Sequence, residues 1–355
     1  MTTMRSVLVR WETLLVVLIV AAMAWSATLS PYYFYLDQIL GSTRFFIIPG
    51  LMALGLMMVV IQGEIDISLT STLAVGTTLA ATLQAAGWGL VPTFVAIIVV
   101  CALLGAVNGI LVAGYGLPSL AVTLGTMGAY SGLAYVIGGE QGYSAFPDSF
   151  TWLGGSDLGI VPVSLIVFCL VAVTAAVTLR STVFGRFSYA IGAGATAAAF
   201  GGVPVRRSKI VAYTLAGALA GLGALIWIGQ YASARADNAD GGILFVVTAV
   251  VLGGVSINGG KGTVLGVVLS LFLLGTLSNG LGLANVAGPT QTLILGTLLV
   301  VSVAGPRLYA MARQRFGGGQ GTPQVSGSGD PGRRRSDTDP AGSLSKDPAA
   351  EPARP

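Results

Sequence analysis

Arg180-Ser-Thr-Val-Phe-Gly185-Arg186-Phe-Ser-Tyr-Ala-Ile-Gly-Ala-Gly-Ala-Thr-Ala197-Ala-Ala-Phe200-Gly201-Gly-Val-Pro-Val-Arg206-Arg207-Ser-Lys209-Ile210 lies between apolar runs long enough to cross a membrane. It carries five basic residues and no acid. Loops that stay on the cytoplasmic side are enriched in Lys and Arg, so this stretch fixes the orientation of its neighbours. Around it, a hydrocarbon core of about 30 Å calls for about 20 apolar helical residues per crossing. Ten runs qualify, at 13–30, 45–62, 67–87, 90–113, 117–138, 158–179, 210–231, 243–259, 263–283 and 289–305.

Composition agrees with that reading. The 355 residues are 54% hydrophobic and 9% charged, with mean hydropathy +0.82. A soluble domain carries about 25% charged residues, so the chain is expected to be an all-α polytopic membrane protein. Histidine is absent, which removes the usual general base and the commonest metal ligand. Cys101 and Cys169 stand singly inside apolar runs and are read as small buried hydrophobes, not a disulfide or a metal site.

Charge then assigns the ends. With the N-terminus inside, eleven Lys and Arg residues before the tail fall on the cytoplasmic side and two, Arg44 and Arg235, fall outside. Ten spans with both termini cytoplasmic satisfy this count, and cleavage of the first run as a signal peptide would spoil it. The expected organisation is a cytoplasmic N-terminus at 1–12, a transmembrane domain at 13–312 with a loop at 180–209, and a tail at 313–355. In the tail Gly, Pro, Ser and Asp dominate, and such composition predicts disorder. Arg333, Arg334 and Arg335 could there meet anionic lipid headgroups. The basic residues thus serve topology and the membrane surface, not a nucleic-acid partner.

A shift of 171 residues aligns Asn108-Gly109 with Asn279-Gly280, Pro118 with Pro289, and Leu124-Gly125-Thr126 with Leu295-Gly296-Thr297. Eight of the 24 pairs between 103 and 126 are identical, so an internal duplication of five spans is expected. An odd number of spans per half forces the halves to insert with opposite sense, an arrangement found in proteins that open alternately to the two sides.

Polar residues mark the candidate sites. Gln62-Gly-Glu64-Ile-Asp66-Ile-Ser68 interrupts apolar sequence running from 45 to 83. One reading is a tight turn; the other places two carboxylates at membrane depth, where ionisable groups are costly and functional. With Ser68, Asn108, Thr123, Thr126 and Asn279 they form a candidate polar path. The same hydroxyls and amides also serve as glue between helices. Outside, 139–157 holds Glu140 and Asp148, and with the Arg235 loop it offers a surface for a soluble partner; its aromatics would equally suit the interfacial belt. Gly254-Val-Ser-Ile-Asn-Gly-Gly260-Lys261-Gly-Thr263 fails as a phosphate loop, because the first glycine is out of register and Gly262 replaces Ser or Thr. Gly192-Ala-Gly194 has no strand before it. No nucleotide site is expected on this chain.

Taken together, Gly63-Glu-Ile-Asp-Ile-Ser68, Asn108-Gly109, Val122-Thr-Leu-Gly-Thr126, Phe184-Gly-Arg186 with Tyr189-Ala-Ile-Gly192, and Val251-Leu-Gly-Gly254 resemble the permease subunits of bacterial ATP-binding-cassette importers for monosaccharides. This branch includes ribose, galactose, xylose, rhamnose and autoinducer-2 systems. The resemblance covers about 10–312, and Gly139-Glu-Gln-Gly-Tyr143 with Gly280-Leu-Gly-Leu-Ala-Asn-Val-Ala-Gly288 is most similar to rhamnose permeases. It implies a second permease copy or paralogue, a cytoplasmic ATPase that uses the ATP, and an external sugar-binding protein. It also implies ATPase coupling through Gly185, Arg186, Ala197, Phe200 and Gly201. Relatives often carry Asn or acidic residues after the Gly-Arg element; here the segment is uncharged, which shifts the expected contact to shape and to Phe200. The competing expectation is an ion-coupled secondary transporter in which Glu64 and Asp66 hold a proton or sodium ion.

Overall fold

The computed structural model describes residues 2–238 and 240–316, with side chains over 11–304 apart from 239. Helices dominate: α1 Thr2–Leu29, α2 Leu36–Ser42, α3 Arg44–Ile61, α4 Leu69–Ala85, α5 Leu90–Gly109, α6 Ser119–Gly138, α7 Asp148–Gly155, α8 Val163–Ser181, α9 Val183–Ala193, α10 Ala195–Phe200, α11 Val205–Tyr231, α12 Ile243–Leu252, α13 Val264–Leu283 and α14 Gly288–Phe316. A two-residue hairpin pairs Asp157 with Pro162 and Leu158 with Val161. Each of the ten apolar runs contains a helix among the described residues, and the chain is an all-α, multi-pass membrane protein.

Seven of these helices are long and apolar enough to cross a bilayer. Two of the other expected spans, 67–87 and 243–259, are shorter helices. The 243–259 run is helical for only 10 residues, about 15 Å at 1.5 Å per residue. It stops because Gly253 packs where a Cβ would lie 2.7 Å from the Val267 backbone, and Gly254 takes φ +81. Helix α4 has 17 residues and starts only after the polar break. Helix α14 is described with side chains only over 288–304, the first 17 of its 29 residues. In the tail, residues 317–355 lie outside the described residues.

The centre is α3, hydrophobic all round and buried over 83% of its span, against 11% for α1. Helix α11 packs along α3 and α5, and glycines set the approach. A Cβ on Gly105 would stand 2.2 Å from Tyr213 O, and one on Gly217 would stand 2.3 Å from Cys101 O. Small residues of this kind let membrane helices meet backbone to backbone. Helix α5 ends in a π-helical turn, Ile110–Gly114, after Gly109 has met Ile210 at the foot of α11.

The two halves correspond in this core. Helix α4 packs on α5 and α11, as α12 packs on α13 and α3. The periphery departs from the pattern: α1 lies on α13, whereas α8 lies on α3, and α7 occupies the flank of α11. Cys101 is buried as expected, but Cys169 is exposed on α8, which leaves it on the apolar outer face of the bundle. The hydroxyls of α4 mostly bond along their own helix, Ser71 and Thr72 to Ser68 O and Thr77 and Thr78 to Ala74 O. Bonds across helices are fewer, Thr82 to Ile137 O among them.

Candidate functional site

The polar break after α3 folds into a knot. Gly63 at φ +80 turns the chain, and Gln62 follows it inward, donating from Nε2 to Ser188 Oγ at 3.1 Å and Ser208 O at 3.3 Å. Asp66 is fully buried. Its Oδ1 accepts from the Ser68 N–H at 3.0 Å and the Ser68 hydroxyl at 2.7 Å, and Asn108 Nδ2 donates to Ser68 Oγ at 2.8 Å. Tyr130 closes the chain by donating to Asn108 Oδ1 at 3.3 Å and Leu104 O at 2.9 Å. The Asp66 Oδ2 has no hydrogen-bond partner among the described residues. Ile65 is held on both sides: its N–H donates to Ser119 Oγ at 3.3 Å, and Tyr213 and Thr123 donate to its carbonyl at 3.2 and 3.4 Å.

Glu64 and Asp66 are separated by this geometry. Asp66 turns into the α4–α5–α6 interface, whereas Glu64 pairs with Lys209 on α11. Lys209, read from sequence as a topology signal, is therefore also the counter-ion of the break. Both side chains of the pair are largely buried, and a partly buried ion pair loses more from removal of one partner than an exposed pair does.

The structure brings Asp66, Ser68, Asn108 and Thr123 together, with Glu64 one turn away. Thr126, one turn beyond Thr123, bonds weakly back to Thr123 O at 3.4 Å. Asn279 lies apart from this group, half-buried on α13. Gln62, which opens the polar break, belongs to the network, as do Tyr130, Ser188 and Tyr213, which were not singled out from sequence. Their signal was only a polar residue in an apolar run, shared by many others.

At the same end of the bundle, Gly185 lets α8 reverse into α9. A Cβ there would stand 2.1 Å from Leu179 O, and Thr182 caps the new helix by accepting from Gly185 N at 3.3 Å. Helix α9 buries Gly185, Ser188 and Ile191 on one face and exposes Arg186 on the other. After Gly194, the six-residue α10 exposes Ala197, with Gly201 exposed beyond it, and Phe200 is 90% exposed. An aromatic so bare at the mouth of a bundle offers a ready contact for another protein.

At the opposite end the loops around 139–157 and Arg235 are joined. Tyr143 and Ala234 exchange backbone hydrogen bonds at 2.8 Å, and the Asn238 amide lies 3.1 Å from Thr77 Oγ1 and Trp227 Nε1. Phe146 and Phe150 are buried while Trp152 is 54% exposed, so the loop's aromatics divide between core and surface. Glu140, Asp148 and Arg235 are all exposed. Arg235 binds Asp237 through two hydrogen bonds, at 2.7 and 3.0 Å, and this holds the Asp237 carboxyl below its ordinary value. Burial, then the charge of Asp237, pushes Asp240 up. Arg44 pairs with Asp157 at 2.5 Å.

Comparison with known proteins follows the same layout. Residues 38–303 match the family described as "Branched-chain amino acid transport system / permease component". The chain is 33% identical over 304 residues to the "Autoinducer 2 import system permease protein LsrD" of Klebsiella pneumoniae subsp. pneumoniae, covering 84% of this chain and 92% of that one. It is 32% identical over 316 residues to the protein of the same name from Escherichia coli strain K12 and to that from Shigella flexneri, covering 86% of this chain and 94% of each. No solved structure matches. The matched region takes in the polar break, the α9–α10 segment and the joined loops, and the chain belongs to this family of transport permease components.

Proposed function

We propose that the chain is the membrane subunit of an ATP-driven importer for a small polyhydroxylated solute. It works with a second permease copy or paralogue, a separate cytoplasmic ATPase and an external binding protein. The observation that carries this reading is the family match over 38–303 together with the bare α9–α10 hairpin at the basic end. On this reading both termini are cytoplasmic, α10 and Phe200 seat on the ATPase, and the exposed Glu140, Asp148 and Arg235 receive the binding protein.

Helix α6 supports the second copy. Gly125, Gly128 and Gly132 have no atom within 4 Å of where a Cβ would lie, so this glycine-bearing face is unfilled by the chain's own helices. Such faces favour close helix association in lipid. Thr126 lies beside it, and a path between two copies would pass there. The buried Asp66–Ser68–Asn108 group then holds the wall of that path in place. Asn279 would contribute from α13.

The motifs shared with rhamnose permeases make rhamnose one candidate solute, and the names of the relatives add autoinducer 2. Reconstituted with its ATPase and binding protein, the chain should support solute-stimulated ATP hydrolysis and ATP-dependent uptake, with rhamnose and autoinducer 2 competed against each other for entry. Uptake by the chain alone, or uptake that an ionophore abolishes at constant ATP, would overturn the reading in favour of ion coupling.

A further inference from the structure

Three segments far apart in sequence meet at the basic end without an intervening side chain. Gly192 near the end of α9, Gly63 after α3, and Gly259-Gly260 in the loop between α12 and α13 touch through their backbones. Gly260 N–H donates to Ile61 O at 2.8 Å. A Cβ on Gly192 would lie 1.9 Å from that same carbonyl and 2.2 Å from Gly260 N. One on Gly259 would lie 2.9 Å from both Gly192 Cα and Gly63 N, and one on Gly260 would lie 3.0 Å from Ala193 N. Gly63, Gly259 and Gly260 also have φ of +80, +83 and +73, which L side chains rarely accept. Polar bonds surround the contact. Tyr189 donates to Gly262 O at 2.8 Å, Gln62 donates to Ser188 and Ser208, and the Glu64–Lys209 pair brings in α11.

Two consequences follow. Side chains between moving elements can change rotamer and absorb a small displacement; backbone in direct contact cannot, so a shift of α9 reaches α3 and the 258–262 loop undiminished. The segments it reaches are those that begin the next helices: 64–68 leads into α4, and Thr263 caps α13 by accepting from Gly266 N at 3.1 Å. Helix α4 lies in the first half of the chain and α13 in the second. The exposed hairpin is therefore tied to both halves at one point.

We propose that Gly192, Gly63 and Gly259-Gly260 form the joint through which movement of the α9–α10 hairpin is passed to α4 and α13, with Glu64 and Lys209 as positioning residues that lock α11 to it. This rests on the reading of the chain as an ATP-driven permease. Its test is the ratio of solute taken up to ATP hydrolysed in proteoliposomes holding the complete importer, with thermal stability measured in parallel. If the wild-type complex shows no ATP-dependent uptake, the functional reading fails and the joint falls with it.

Given a working wild type, Gly192→Ala should lower the ratio by about tenfold, within the range of about 5–150-fold typical of coupling between sites. Lys209→Gln, which leaves the glycine contact intact, should lower it by about fivefold, the low end of that range, and Glu64→Lys with Lys209→Glu should restore at least half of what is lost. A merely structural defect would lower uptake and hydrolysis together and leave the ratio unmoved. A wild-type ratio in assembled G192A overturns the proposal. If G192A does not insert, K209Q decides: a wild-type ratio there overturns the proposal, and a lowered ratio that the charge exchange restores supports it.

Discussion

Gly105 and Gly125 occupy neighbouring membrane helices, yet a methyl group should have opposite consequences at the two positions. At Gly105 the new Cβ would meet Tyr213 O at 2.2 Å and Gly217 Cα at 3.2 Å. Ordinary contact begins near 3.4 Å, so α5 and α11 must separate by about 1 Å. A radial gap of 0.5–1 Å forfeits about a quarter to a half of each dispersion contact, and overpacking a tight interface costs about 1–3 kcal/mol. At Gly125 the methyl meets nothing. Both replacements gain about 1 kcal/mol of intrinsic helix preference, so the difference between them isolates the steric part. Gly105→Ala should be less stable than Gly125→Ala by about 1–3 kcal/mol in detergent unfolding of the purified chain. Gly125→Ala should leave the isolated chain unchanged or slightly firmer while weakening association of permease copies, read by crosslinking in membranes. Equal stabilities would refute the close crossing of α5 and α11, and undisturbed association in a Gly125→Leu variant would refute α6 as the contact face.

Phe200→Ala removes a side chain that is 90% exposed, so thermal stability should not change, whereas affinity for the ATPase should fall by about 2 kcal/mol as for an aromatic anchor; unchanged affinity would detach Phe200 from coupling. Asn108→Ala removes the bond to Ser68 and the acceptor of Tyr130, and should cost about 0.6–1.7 kcal/mol, the range of hydrogen bonds inside membrane proteins; wild-type unfolding would dissolve the knot around Asp66. Arg235 holds the Asp237 carboxyl below its ordinary 3.8. The pairing therefore contributes fully above that value and is lost as pH falls through the lower folded one. Arg235→Gln should raise the Asp237 titration toward 3.8, seen by NMR of aspartate-labelled protein, and an unmoved titration would show that the pair does not persist in solution.

Much of this architecture can be read from the sequence because lipid leaves the backbone few choices. A run such as 90–113 must be helical, since every backbone group has to be satisfied within its own segment. The Gly63-to-Ser68 break was legible for the same reason, as a polar interruption in a run that had no need of one. What escaped was everything that depends on partners distant in sequence. Glu64 has no basic neighbour along the chain, and its counter-ion Lys209 stands 145 residues away in a segment whose charge already had a sufficient explanation. The early end of α12 escaped because 243–259 is apolar enough to span, and only the packing of Gly253 on Val267 shows why the helix stops. Composition likewise could not separate Gly105, where a side chain is forbidden, from Gly125, where one would be tolerated by this chain alone.

The short helices and the glycine contacts bear on the same problem. A full-length span crosses the bilayer whatever its neighbours do, whereas α4 begins after the irregular segment 64–68 and α12 ends in the irregular segment 253–262. The buried polar groups of irregular backbone need partner groups from the surrounding protein. For 64–68 those groups are Ser119, Thr123 and Tyr213; for 253–262 they are Tyr189 and the Ile61 carbonyl. Each break thus depends on helices that are not its own: α6 and α11 hold 64–68, and α3 and α9 hold 253–262. On the proposed reading, a displacement of α9 relative to α3 bears directly on 253–262 and reaches 64–68 through Gly63, whose backbone lies against Gly259 as Gly259 lies against Gly192. Such linkage is what the proposed alternating path would use, and it rests on where four glycines stand.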